Sequence, residues 1–157
     1  VRFTSKFPFK IQVSGRVKHY INAFGEELIV DNAEKALSMA CKETGASICE
    51  YTAAPIYFSG KNAGSHEWLI EFQKEPDNLK VFVDQLDANL KKVNSDYEAK
   101  RFNDYALRKP KVHSVKKGVF YEWMKSRGKL GGQHKVPRLS NDRKYVTQIL
   151  KLMEKPI

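Results

Sequence analysis

Leu79, Phe82, Val83, Leu86, Leu90, Val93 and Tyr97 follow one another at spacings of 3, 1, 3, 4, 3 and 4 residues. That is the period of a helix with one apolar stripe, and such a stripe needs a surface to cover it. The stripe predicts a core-facing helix opened by Glu75-Pro76-Asp77. Just upstream, His66 to Gln73 alternates, with Trp68, Ile70 and Phe72 on one side, which is a strand pattern. Ser47 to Ser59 is also β-rich, and Pro55 assigns it to an edge or a bulge. The turn Ser59-Gly60-Lys61-Asn62-Ala63-Gly64 joins the two as an antiparallel hairpin. A hairpin followed by a long amphipathic helix sets the class as α+β.

The remaining segments fit around that unit. Phe7 to Gly15 alternates at Phe9, Ile11 and Val13 as a half-buried strand, and Val17 to Asn22 resumes the β pattern before a break at Ala23-Phe24-Gly25. Leu28-Ile29-Val30 is a short apolar run. Asp31-Asn32-Ala33-Glu34 has the form of a capping box, opening a helix that buries Ala33, Leu37, Ala40 and Cys41 and stops at Gly45. Arg101 to Leu107 is a connection with a short helical piece, and Lys111 to Val115 a basic strand. Gly118 to Arg127 is a helix whose Phe120, Trp123 and Met124 are packing residues. Ser140-Asn141-Asp142 caps a last helix with Tyr145, Val146, Ile149, Leu150 and Met153 on its face. No repeat or internal linker interrupts the series. The expectation is a single domain over 1–157, with helices packed on a mixed, mostly antiparallel sheet of about four to five strands.

A chain of 157 residues can bury roughly two-thirds of its unfolded surface. With 41% hydrophobic and 29% charged residues, it lies outside the disordered class. No run reaches the ~18 apolar residues of a membrane span, and the N-terminus lacks a signal-peptide pattern. Val1-Arg2-Phe3-Thr4 reads as if entered part-way, so a fragment of a longer protein is expected. Cys41 and Cys49 are too sparse for a disulfide scaffold and point to buried free thiols in a reducing compartment, the cytoplasm. His19, His66, His113 and His134 show no ligand spacing, so no metal site is expected.

The net charge of +10 is unevenly placed: residues 108–157 hold 14 Lys/Arg against 3 Asp/Glu, whereas residues 1–107 hold 14 against 15. The basic third implies an anionic partner, whether nucleic acid, phosphate or an acidic protein lobe, or else a solubilising face. Within it lies Gly128-Lys129-Leu130-Gly131-Gly132-Gln133-His134-Lys135-Val136-Pro137-Arg138-Leu139. Gly131 and Gly132 allow positive φ and close approach. Lys135 precedes a segment held extended by Pro137. A lysine at the rigid end of a loop suits delivery of positive charge to phosphate or carboxylate; the same residues also describe a solvated basic turn. The chain has no phosphate-loop or dinucleotide fingerprint, no Ser-His-acid constellation and no paired carboxylates at a pocket.

Two stretches carry a resemblance. Gly15-Arg16-Val17-Lys18-His19-Tyr20-Ile21-Asn22-Ala23-Phe24-Gly25-Glu26-Glu27-Leu28 is one. Lys125-Ser126-Arg127-Gly128, continuing through Gln133-His134-Lys135-Val136-Pro137-Arg138-Leu139-Ser140, is the other. Together they resemble the C-terminal lobe of the plant auxin-responsive-type acyl acid amido synthetases, in particular their bacterial relatives, within the adenylate-forming superfamily.

That resemblance implies a ligase that makes an acyl adenylate from a carboxylic acid and ATP with Mg2+, then passes the acyl group to an amine, typically of an amino acid. It implies that this chain is the mobile lobe of such an enzyme, closing over a site built mainly by an N-terminal lobe that would be its partner. By similarity, Arg16 at the entry to the lobe would reach the nucleotide and Lys135 would contact the ATP phosphates. Gly131, Gly132 and Gln133 would shape the loop. The chain departs from the plant pattern at Phe24-Gly25-Glu26, where those members carry a lysine. The ribose-binding aspartate would fall before Val1, so the chain alone is expected to be inactive. Hormone specificity belongs to the other lobe. The alternative is a basic nucleic-acid-binding α+β module, with Phe120, Tyr121 and Trp123 as stacking groups, although no RNA-recognition or helix-turn-helix signature accompanies them.

Overall fold

Trp68, Ile70 and Phe72 point to one side of their strand and Leu69 to the other, and both sides are covered. The computed structural model describes residues 2–12, 19–58, 63–131 and 134–154. Within these, β1 (Arg2–Lys6) and β2 (Phe9–Gln12) pair antiparallel, as do β3 (Tyr20–Ile21) and β4 (Leu28–Ile29). Helix α1 (Val30–Thr44) leads into the hairpin of β5 (Ser47–Tyr57) and β6 (Gly64–Lys74). Helices α2 (Leu79–Val93) and α3 (Ser95–Lys100) then cross over to β7 (Lys111–Val115), which lies parallel to β6. A parallel neighbour requires such a crossover. Helices α4 (Val119–Ser126) and α5 (Lys144–Met153) follow.

Helices α1 and α2 cover one face of β5–β6–β7, with Leu37, Phe82, Leu86 and Leu90 packed on Tyr51, Trp68, Ile70 and Phe72. Helices α4 and α5 cover the other, with Phe120, Trp123, Val146 and Ile149 packed on Ala54, Leu69 and Val115. This is an α+β single domain. Its described strands form three sheets, and only three of them belong to the central, mixed one. β5 is an edge strand, so the sheet accommodates Pro55 as expected. Among the described residues no helix is long and apolar enough to cross a membrane.

Local chemistry shifts several expected boundaries. Of the expected Phe7–Gly15 strand, Phe9–Gln12 is realised as β2, paired with a strand upstream of it, and 13–15 lie outside the described residues. Val30 already begins α1, so Asp31 lies in its first turn and pairs with Lys35 at 2.8 Å, while the Asn32 side chain accepts from the Ile29 N–H at 3.4 Å. Gly45 ends α1 at φ +68°. The stripe from Leu79 to Tyr97 is two helices, because Asn94 is extended and its side chain caps α3 through the Tyr97 N–H at 2.8 Å. Asn78, not Asp77, caps α2, accepting from the Lys80 N–H at 2.9 Å. Of the two cysteines, Cys41 is half-buried and Cys49 exposed, both free, so the expected burial fails for Cys49. Gly64 is demanded by close approach: a Cβ there would meet the Ile56 carbonyl oxygen at 2.1 Å and the Phe24 ring at 2.2 Å.

The connection from α2 to β7 closes on a buried ion pair. Arg101 Nε and Nη2 donate to the two oxygens of Asp87 at 2.7 and 2.9 Å, and Nη1 donates to the Leu107 carbonyl at 2.9 Å. The Tyr97 hydroxyl donates to the same carboxylate at 2.8 Å. Burial would raise the Asp87 carboxyl, but Arg101, Lys91 and Tyr97 hold it below its usual range. Removing one partner strands the other charge in the interior. Arg101→Leu is therefore expected to lower stability by about 3–5 kcal/mol in urea unfolding monitored by tryptophan fluorescence; a loss below about 1 kcal/mol would show the pair to be dispensable.

Candidate functional site

The extended segment after the glycine loop is fastened to the edge of the sheet. The Ala53 N–H donates to the Arg138 carbonyl at 2.9 Å, and the Ser140 N–H donates to the Ala53 carbonyl at 3.1 Å. Leu139 thus bridges Ala53 in parallel. The Thr52 hydroxyl donates to the Pro137 carbonyl at 2.7 Å. Val136 and Leu139 are buried. Arg138 pairs with Glu50 and lies 4.7 Å over the Tyr51 ring. Residues 136–140 therefore make a rigid limb whose free end carries Lys135.

The opposite wall starts at α4. Its last turn closes with the Gly128 N–H on the Lys125 carbonyl at 3.0 Å and the Lys129 N–H on the Met124 carbonyl at 3.0 Å. Gly128 and Gly131 take φ +63° and +85°, where a side chain would be strained. Arg127 lies 4.6 Å over the Trp123 ring and 5.2 Å over that of Tyr145, tying the loop's start to both helices.

Between limb and helix lies a cavity of about 520 Å³, lined by Tyr121, Lys129, Gly131, His134 and Lys135 at its rim and by Glu50 and Glu71 from the sheet. Lys135 is exposed and has no hydrogen bond or ion pair among the described residues. The structure thus brings Lys135 and Gly131 to one cavity; Arg16, Gly132 and Gln133 lie outside the described residues. The two acids are engaged, Glu50 by Arg138 and Glu71 through one oxygen that accepts from the Gly118 N–H at 3.0 Å. Beside Tyr121, the charged and imidazole side chains at the rim, Lys129, His134 and Lys135, are basic. That set fits an anionic phosphate better than Mg2+, which takes oxygen ligands, while Glu71 Oε2 below them has no partner among the described residues. No group of three or more His, Cys, Asp or Glu converges among the described residues. Phe120 and Trp123 are buried, so of the three aromatics considered for stacking only Tyr121 faces outward.

Local sequence patterns do not show the buried polar groups that tie the surrounding elements to the sheet. Glu67 accepts from His113 at 2.8 Å, from Lys111 at 3.2 Å and from Arg143 at the start of α5. Arg143 also donates to the Pro55 carbonyl at 3.0 Å, so the far end of the limb is pinned across β5 and β6. Glu26 and His66, both fully buried, pair at 2.8 Å, and the second Glu26 oxygen accepts from the Phe24 N–H at 2.7 Å. Burial would raise the Glu26 carboxyl; His66 and the backbone N–H hold it low. The one signal was negative: His66, Glu67 and Glu71 interrupt a strand long enough to be central.

Burial likewise pushes the Glu67 carboxyl up, but Arg143, His113 and Lys111 together bring it down to about 2 from 4.5. A carboxyl lowered on folding contributes stability that is complete above its unfolded pKa and lost as pH falls through the folded one. Glu67 should therefore stabilise the fold fully above pH 4.5 and progressively less toward about 2. Glu67→Gln is expected to flatten the fall in unfolding free energy across that window, measured by urea titrations at successive pH values; an unchanged slope would assign the acid sensitivity elsewhere.

The comparisons with known proteins agree with this architecture. The model described as the GH3 family C-terminal domain matches residues 31–144. Among solved structures, "GH3.15 acyl acid amido synthetase" superposes with a TM-score of 0.69 at 21% identity, over 89% of this chain and 27% of that one. "AtGH3.15 acyl acid amido synthetase in complex with 2,4-DB" gives 0.67 at 18% identity, over 88% and 26%. At such identities the likeness is one of fold, and the chain spans about a quarter of the length of the structures it matches. No curated protein matches it. With the family model matched over most of its length, the chain belongs to the GH3 family, as a C-terminal domain of that family.

Proposed function

We propose that this chain is the small lobe of an ATP-dependent acyl acid amido synthetase and that it delivers Lys135 to the phosphates of ATP. The observation that carries the reading is Lys135 itself, exposed and unengaged among the described residues at the end of a limb bonded to the sheet. The names of the similar structures, acyl acid amido synthetases, support the reaction class.

In the first step a carboxylate oxygen of the acid attacks the α-phosphorus of ATP. An acyl–phosphate bond forms, the bond from the α-phosphorus to the bridging oxygen breaks, and pyrophosphate leaves with the electron pair. Negative charge grows on the leaving group, and an ammonium held against it in a water-poor site lowers the barrier. In the second step an amine nitrogen, of an amino acid in this reading, attacks the acyl carbon; an amide forms, AMP departs and the amine loses a proton. Closure of the lobe would bring the lysine in and keep water from the adenylate. Mg2+ supplies charge neutralisation on the phosphates when bound, and its ligands would come from the N-terminal lobe. Arg16, Gly132 and Gln133 belong to this proposal as nucleotide contacts and loop formers.

In the complete enzyme, Lys135→Ala is expected to reduce acid-dependent ATP–pyrophosphate exchange about 10²–10³-fold with the fold intact by circular dichroism, the range seen on removing one charge-stabilising donor. Exchange at the wild-type rate would make the cavity a structural feature only. The 157-residue chain alone should show no exchange with any acid in the panel; turnover by it would place the whole active site in this lobe.

A further inference from the structure

Lys135 is held through its limb; besides the Arg143 contacts with Pro55 and Glu67 and the Arg138–Glu50 pair, the limb is fastened at two places. One is β5, through Thr52 and Ala53. The other lies just beyond Ser140. Asn141 turns its Oδ1 to the Asn22 N–H at 2.8 Å, joining parts of the chain 119 residues apart. Asn22 stands at the start of the turn between β3 and β4, and its own side chain accepts from the Glu27 N–H at 3.2 Å. That turn is itself immobilised: Glu26 is locked to His66, the Asn94 side chain donates to the Glu26 carbonyl at 2.9 Å, and Phe24 covers Gly64. The partner of Asn141 is thus an exposed residue on a turn that is anchored to the core.

Around this bond the two segments are separated by space. An open cavity of about 480 Å³ lies between His19 and Tyr20 on one side and Pro137, Leu139 and Asn141 on the other, with Tyr145 beside it. A side chain that spans such a gap to accept a backbone N–H sets the position of the segment bearing it. Its neighbours have other tasks: the Ser140 hydroxyl accepts from the Asp142 N–H at 3.2 Å, and the Asp142 carboxylate accepts from the Lys144 N–H at 2.9 Å, building the entry to α5.

We infer that Asn141 is a positioning residue for Lys135: its bond to the Asn22 N–H sets the direction of the 136–140 limb and so the place the lysine reaches. The inference rests on the proposed role of Lys135. It touches no substrate atom and acts only through the limb. A small misplacement of a charged group costs rate far out of proportion to the stability involved.

The test uses the complete enzyme, with ATP–pyrophosphate exchange driven by whichever acid of a carboxylic-acid panel supports the fastest rate. Asn141→Leu keeps the size and removes the acceptor; it should lower kcat about tenfold with KM for ATP within about twofold. Asn141→Asp keeps an acceptor oxygen and should stay within about twofold of wild type. In a Lys135→Ala background, Asn141→Leu should add no further loss, because both act through one group. Multiplying losses, or an aspartate variant as slow as the leucine one, would overturn the inference. Amide hydrogen exchange on the same proteins decides the contact without chemistry: Asn141→Leu should speed exchange at Asn22 and along 136–140, and unchanged protection there would also overturn it. An unaffected rate in Lys135→Ala alone would instead reject the role of the lysine while the hydrogen-exchange result still stood.

Discussion

Strand β6 is buried on both faces along most of its length, and a polar side chain on it costs free energy unless it is satisfied inside the protein. Three of its residues find partners by reaching out, Glu67 with both oxygens and His66 and Glu71 with one atom each, while His66 Nδ1, Trp68 Nε1 and Glu71 Oε2 stay without one among the described residues. His66 takes Glu26 and with it the β3–β4 turn; Glu67 takes Arg143, His113 and Lys111 and with them α5 and β7; Glu71 takes the Gly118 N–H and with it the start of α4. These interactions place the outer elements around the strand. The apolar layers supply bulk burial, but polar residues of one strand hold the starts of α4 and α5. The limb that carries Lys135 inherits its position from them, through Arg143 at one end and the sheet edge at the other.

The parts of this fold with a clean period were legible. The Trp68–Ile70–Phe72 face, the α2 stripe, the Gly45 stop and the basic strand β7 each follow from one local rule, and packing agrees with that rule in every case. Legibility ended where a residue served two elements. Asn94 keeps the apolar period unbroken while dividing α2 from α3 with its backbone and side chain. Asn32 supplies the acceptor at the start of α1 and donates to the Val93 carbonyl at 2.9 Å, so that start is set partly by another helix.

The candidate site divides in the same way. The glycines and Lys135 announce themselves by local chemistry, and Lys135 stands where that chemistry is usable. Glu50 and Glu71 do not, since an acid between apolar residues on a strand is ordinarily read as facing water. Here α4 and the loop cover that side. The side-chain partners of Glu26 and Glu67 lie 40 or more residues away, His66 and His113 among them, and no local pattern contains those pairings.

The limb across Ala53 has a second effect. β5 is an edge strand with Pro55 in its length, and an uncovered edge offers its amides to any other chain able to add a strand. The Arg138 carbonyl and the Ser140 amide occupy the Ala53 groups that a stranger would seek. At Ala53, the segment that bears Lys135 therefore also shields the edge from another strand. A protein that let this segment peel away in order to move its lysine would expose a sticky border in every cycle. A lobe that moved its lysine by turning as one body, as proposed above, would leave these two backbone hydrogen bonds in place and Ala53 covered.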